Sequence, residues 1–335
     1  MSKFDDFDNN FNDNEIEKAI RKVKRKSLIR NTIIALVISV ITIIIAIIIN
    51  NIVYMKLLNE AMTKINVNIE STVPTAYASK SNYTQGFLGV RVDYTVSKKV
   101  GDRVVHLDSK SESYGLNKPL IRHGILYSDI SNSEWQKIRT WEDGYRKMLF
   151  FHPNINYKEY PNDLSAINNM SDDKVIEMAI SLDKGYSKDE IADIAFDMRN
   201  INTKWIWLDT FSETQMNEFK EEVKNDAPKS CGIIESQVRG LNYDYNNGNI
   251  YSGITDINEM YNSWLNHLRD GNENNITNEI NKNLYEQLIK DGKDNASNIK
   301  ILGFIVEGTK EELNEIISKP YIKASTFGVV VDSLY

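Results

Sequence analysis

Metal or thiol chemistry would need histidines and cysteines at short spacings, and the chain has four of the first and one of the second. His106, His123, His152 and His267 lie far apart, and none sits at a metal-ligand spacing. Cys231, between Ser230 and Gly232, could act as a nucleophile with a distant histidine, but an inert cysteine is the commoner case. No Gly-x-Ser-x-Gly elbow, phosphate-binding Walker loop, His-Glu-x-x-His or Cys-x-x-Cys is present. Carboxylates are abundant without forming a spaced acid-base pair. Trp135, Trp141, Trp205, Trp207 and Trp264 could line a groove, yet their helical and strand spacings suit core positions better. The expectation is therefore no catalytic residue, no metal, no cofactor and no enzymatic activity. Function must then lie in surfaces and in the elements that present them.

The dominant element is a stretch from Asn31 to Met55 with no charged residue, nearly all Ile, Val, Leu and Ala between Ile33 and Ile49. As a helix it would reach about 37 Å, against about 30 Å for the hydrocarbon core of a bilayer. In lipid every backbone N–H and C=O must be bonded within the segment, which dictates a transmembrane helix over 31–55. Lys18, Arg21, Lys22, Lys24, Arg25, Lys26 and Arg30 crowd its N-terminal side, while only Lys56 and Lys64 follow closely. The positive-inside bias puts residues 1–30 in the cytoplasm and the bulk of the chain outside, as a single-pass protein of the cell membrane. The apolar run is longer than a signal-peptide core and no small-x-small cleavage site follows, so an uncleaved anchor is expected.

The cytoplasmic segment opens with Phe4, Phe7 and Phe11 spaced among aspartates and asparagines, too little apolar mass to fold alone. Asn14 and Glu17 have capping-box spacing, and Ile16, Ile20 and Val23 recur on one helical face. Two functions suit such a segment. Arg21, Lys22, Lys24, Arg25, Lys26 and Arg30 can hold anionic lipid at about 1 kcal/mol each. Alternatively Phe4, Phe7, Phe11, Ile16, Ile20 and Val23 can order as a docking helix on a cytoplasmic protein.

Residues 56–85, polar, carrying Pro74 and without sustained periodicity, read as a stalk or an irregular entry to the outer domain. Residues 86–160 form a first β-rich region, in which Leu88, Val90, Val92, Tyr94 and Val96 alternate and are followed by Val104, Val105 and Leu107, a β-hairpin pattern. Trp135, Ile138, Trp141 and Tyr145 fall at helical intervals ahead of Met148 to Phe151. Residues 161–335 read as an α+β domain. Val175–Leu182 is a strand, Ser187 and Glu190 cap a helix, and Trp205–Leu208 is the returning strand. Ile301–Val306, a helix capped by Thr309 and Glu312, and Tyr321–Val331 repeat the pattern. Two strand-helix-strand units suggest a sheet covered by helices on one face, with the ferredoxin-like split arrangement as the leading topology. Helices are expected around 216–223, 257–268 and 284–289, with a strand near 232–238. One cysteine excludes an internal disulfide, which fits a bacterial surface, and a net charge of −7 with no basic patch beyond the juxtamembrane run argues against nucleic acid.

These elements, with Trp141-Glu-Asp-Gly-Tyr-Arg-Lys-Met-Leu-Phe-Phe-His-Pro153, Tyr157-Lys-Glu-Tyr160 and Asn162-Asp-Leu164, resemble the sigma factor regulator family of Gram-positive bacteria. Asp183-Lys-Gly-Tyr-Ser187, Trp205-Ile-Trp207, Gly303-Phe-Ile-Val306, Pro320-Tyr-Ile-Lys-Ala-Ser325 and Gly328-Val-Val-Val331 resemble its C-terminal domain. The resemblance, from about residue 18 to the end, implies a membrane-bound anti-sigma factor that holds an extracytoplasmic-function sigma factor through its cytoplasmic segment and senses through its outer domain. Zinc-type anti-sigma domains use a His and Cys cluster, and here no Cys or His precedes the span. Any sigma contact would rest on Phe4 to Leu28, just enough for an interface of roughly 20 to 30 residues a side. The sigma factor, the lipid bilayer and another membrane or envelope protein are the partners this implies. A cell-surface binding or scaffolding protein with a passive anchor is the alternative, and a wall-modifying enzyme, for which no residue is nominated, comes last.

Overall fold

The computed structural model describes residues 13–116, 146–225, 232–243, 257–273 and 279–333. Helix α1, Asp13–Thr72, runs 60 residues without a break, about 90 Å at the usual helical rise. Within its apolar stretch the Thr42 hydroxyl donates to the Ile38 carbonyl at 2.9 Å, and Thr32 does the same to Leu28, so these hydroxyls carry their own acceptors. Beyond Met55 the expected irregular stalk is replaced by continued helix and then by strand β1, Ala76–Gly86. The reason is legible in retrospect: Leu58, Ala61, Ile65 and Ile69 recur at intervals of three and four, and this stripe packs on a sheet. The chain leaves the helix at Pro74 and turns through Thr75, whose φ is 66°.

That sheet is an antiparallel meander of β1, β2 (Gly89–Val100) and β3 (Arg103–Gly115). Val100 pairs with Arg103, so β2 and β3 are joined by a two-residue turn in which Gly101 takes φ +54°. Val90, Val92, Tyr94 and Val96 line one face at the strand period of two and close a small core on α1.

The larger unit is a five-stranded antiparallel sheet in the order β10, β5, β9, β6, β8. Its strands are β5 (Lys174–Tyr186), β6 (Asn202–Leu208), β8 (Arg239–Asn242), β9 (Ile301–Thr309) and β10 (Ile322–Asp332). Helix α2, Ile191–Asp197, links β5 to β6, and helix α6, Lys310–Asn314, links β9 to β10, each connection stepping over one strand. Thr309 and Glu312 form the expected capping box. Ile176, Met178, Ile180, Ile206, Phe304 and Val306 point to one face of the sheet. There they meet α2, α4 (Ile257–Glu273), α5 (Glu279–Lys290) and α6 in the main core.

The opposite face carries Ala179, Trp205, Trp207 and Ile305 under the short strands β4 (Leu149–Phe150) and β7 (Ile233–Ile234) and helix α3 (Glu213–Lys224). Gly303 lets Trp207 lie flat on the strand, since a Cβ there would meet the Ile180 carbonyl at 2.1 Å and the indole at 3.2 Å. The strand expected over 232–238 is corrected to β7 and β8 separated by a 3₁₀ turn at Glu235–Gln237. The helix expected from Trp135 to Tyr145 lies outside the described residues, and within the Met148–Phe151 run after it Leu149 and Phe150 form the short strand β4.

Candidate functional site

The residues expected to dock a partner divide. Phe4, Phe7 and Phe11 lie outside the described residues. Ile16, Ile20 and Val23 sit on the first turns of α1 at 39%, 49% and 66% exposure, an apolar strip with no tertiary partner among the described residues. Arg21, Lys22, Lys24, Arg25, Lys26 and Arg30 surround it, all exposed, with Arg21 in a 2.6 Å ion pair with Glu17 one turn earlier. An exposed i, i+4 pair adds only a few tenths of a kcal/mol, so this arm is helical mainly because it continues the helix behind it.

At the other end of α1 the structure assembles a site that the sequence-based reading missed. Beyond the turn at Thr75, where the small sheet abuts the large one, Lys98 is fully buried. Its Nζ lies 3.2 Å and 3.4 Å from the two carboxylate oxygens of Glu177 on β5, and 3.6 Å from Glu235. Glu177 also accepts from the Thr75 hydroxyl at 3.1 Å and from the Val329 backbone N–H at 3.1 Å. Glu235 accepts from the Met148 backbone N–H at 3.4 Å. A side chain at Gly328 would intrude here, its Cβ meeting Glu177 Oε2 at 2.6 Å. Glu307, directly across the β5–β9 pair from Glu177, accepts from the Gly101 backbone N–H at 3.2 Å and from the Asn202 amide.

Burial alone would drive the Lys98 ammonium toward neutrality, but Glu177 and Glu235 outweigh it and hold its pKa above the ordinary lysine value. One ammonium cannot neutralise two carboxylates. Burial pushes Glu235 up, Lys98 opposes, and the neighbouring Glu177 pushes it further in the same direction. Glu307 is likewise raised, by burial first, with Lys204 opposing. The site is thus a buried carboxylate-rich cluster around a lysine, and it joins the turn after α1, the small sheet and the large sheet.

Two clefts open beside it. A cavity of about 370 Å³ is lined by Glu70, Thr75, Lys99, Lys204 and Asn242, and a smaller one of about 80 Å³ by Trp205, Arg239, Trp264 and His267 among others. Burial raises Glu70, opposed by His267, and lowers Arg239 to about 10, its guanidinium donating to the Ser236 and Val238 carbonyls.

The remaining chemistry-capable side chains are scattered. His152 is buried edge-on to Trp207 and Phe211, with Nε2 3.6 Å from Asp209. Burial opposes ionisation of Asp209, but His152 and Lys293 prevail and hold its pKa below the ordinary value. His106 meets Ser97 at 2.9 Å, while His123, Cys231, Trp135 and Trp141 lie outside the described residues. Among the described residues no group of three His, Cys, Asp or Glu side chains is placed to hold a metal ion. Trp205 and Trp207 are core, and Trp264 packs on its edge.

A signal for the cluster existed. The alternation that buries Val90, Val92, Tyr94 and Val96 puts Lys98 on the same inward phase, and an inward lysine demands a carboxylate partner. What the sequence could not supply was the identity of partners 79 and more than a hundred positions away.

Two family models match the chain: one described as Sigma factor regulator N-terminal over residues 17–105, and one described as Sigma factor regulator C-terminal over residues 167–329. No curated protein and no solved structure matches it.

Proposed function

Because this chain belongs to the sigma factor regulator family, we propose that it is a membrane-bound anti-sigma factor, holding an extracytoplasmic-function sigma factor in the cytoplasm and sensing the envelope through its outer domain. The observation that carries this proposal is the unbroken helix from Asp13 to Thr72, with an exposed amphipathic arm at one end and the Lys98 cluster just past the other. Such a rod can pass a displacement of the outer domain to whatever the arm holds.

In this proposal Phe4, Phe7, Phe11, Ile16, Ile20 and Val23 contact the sigma factor, and the six basic residues from Arg21 to Arg30 hold the inner leaflet. The crossing in this proposal ends at Ile49, since the Asn50 side chain accepts from the Leu88 N–H of the β1–β2 turn at 2.6 Å and that of Asn51 from the Gln85 amide of β1 at 2.8 Å. Residues 31–49 then span about 28 Å, close to a hydrocarbon core of about 30 Å. The strand order with β9 between β5 and β6, and β5 between β9 and β10, supports a ferredoxin-like outer domain elaborated between β6 and β9. The carboxylate-rich cluster and the cavities beside it support a joint that can rearrange, since it is held by charge more than by interdigitated apolar side chains. The role is non-enzymatic.

Deletion of residues 1–17 in cells tests it. Transcription dependent on the cognate sigma factor should rise while the protein remains in the membrane at normal abundance. A passive surface scaffold would lose no transcriptional control.

A further inference from the structure

The turn between β1 and β2 carries Phe87 at 70% exposure, and Leu116, at the end of β3, is 71% exposed beside it. The geometry that presents them is built, not loose. The Leu88 N–H donates to the Asn50 side chain at 2.6 Å, and the Leu116 N–H donates to the Leu88 carbonyl at 3.1 Å. The Gln85 amide donates to Asn51 at 2.8 Å. Leu88 is held at φ 47°, a conformation that glycine would take without steric cost and leucine does not. Gly115 has no room for a side chain, because its Cβ would meet the Leu88 carbonyl at 2.4 Å and Leu57 at 2.7 Å. The tip is thereby fixed level with Asn50, one residue beyond the last isoleucine of the apolar run, whose own side chains from Ile33 to Ile49 are all exposed.

We propose that Phe87, Leu88 and Leu116 form a second membrane contact, seated at the boundary between headgroups and acyl chains in the leaflet from which α1 emerges. Phe87 and Leu116 are exposed at the level of Asn50, where the apolar run of the helix ends, and this height places an aromatic ring where aromatic side chains favour the interface. A second contact beside the span fixes the tilt and rotation of the small sheet relative to the bilayer, which a single helix leaves free. The inference rests on α1 spanning the membrane.

Single-cysteine chains in a Cys231→Ser background, labelled with an environment-sensitive fluorophore, test it. The full chain would be reconstituted into vesicles of phosphatidylethanolamine and phosphatidylglycerol carrying brominated acyl chains. Labels at Phe87→Cys and, as a second position, Leu116→Cys should be blue-shifted and quenched at least twofold more than a label at Val104→Cys, which lies in β3 next to the opposite turn of the sheet. A label at Ile41→Cys reports on the span itself. If Ile41 is quenched while Phe87 and Leu116 match Val104, the tip faces water or another protein and the inference is overturned, with the span intact. If Ile41 is unquenched, the spanning proposal fails and the inference falls with it.

Discussion

Residues 16–49 and 53–69 belong to one helix, yet every large apolar side chain of the first stretch is exposed, while the second buries Ala61, Ile65 and Ile69 against a sheet. The difference lies in the pattern. From Ile33 to Ile49 apolar residues occupy all sides of the helix, so no face is left for water, whereas beyond Asn51 they narrow to a stripe with Lys56, Glu60 and Lys64 on the outside. In the proposed topology the first stretch is completed by lipid and by a partner, whereas the second is completed by its own chain. The two stretches should answer the same substitutions differently.

The largest effect is expected where the second stretch meets the charge cluster. Lys98→Met would leave Glu177 and Glu235 buried without their cation, a change that typically costs 3–5 kcal/mol. Denaturant unfolding of the full chain in detergent would register it as a lower midpoint, and adding Glu177→Gln and Glu235→Gln should recover part of the loss. Next, Ile65→Ala removes a fully buried side chain and should cost roughly 2–5 kcal/mol, whereas Ile41→Ala, exposed on the apolar run, should leave the same midpoint almost unmoved. Equal losses at the two positions would break the comparison.

A smaller effect concerns pH. Glu235 has its pKa raised in the folded chain, so its contribution is fully present below the ordinary glutamate value of 4.5 and is lost as pH rises through the higher folded value. Stability should accordingly fall as pH climbs above 4.5, and Glu235→Gln should flatten that slope. Asp209, with its pKa lowered, acts oppositely, its contribution fading only as pH drops below the ordinary aspartate range. The smallest effect on folding belongs to the arm, where Ile20→Glu should change stability by less than about 0.5 kcal/mol.

How far these features could be read from the sequence follows the same division. The span declared itself because nineteen of its residues need no partner from elsewhere in the chain, from Asn31 to Ile49. The capping box at Thr309, the reciprocal Ser187–Glu190 bonds in the turn that precedes α2 (whose N-cap is Glu190, not Ser187), and the alternation in β2 are likewise local, and they placed strands and helices within a few residues. The stretch 56–85 was misjudged because the Leu58 to Ile69 stripe is diluted by Lys64, Asn66 and Asn68, and because it becomes helix through contact with a sheet formed later in the chain. Glu177 and Glu235 were invisible as a pair because nothing local distinguishes them from the other carboxylates. Only the fold brings Val96's inward neighbour, Lys98, to them.

The central claim is that the exposed end of α1 holds a sigma factor, and a binding measurement tests it most directly. The full chain in lipid nanodiscs would be incubated with the organism's purified extracytoplasmic-function sigma factors. One of them should be retained, and Ile20→Glu together with Val23→Glu should weaken retention at least tenfold, about 1.4 kcal/mol, with the unfolding midpoint unchanged. Retention that is indifferent to these two substitutions, or absent for every sigma factor, would contradict the account.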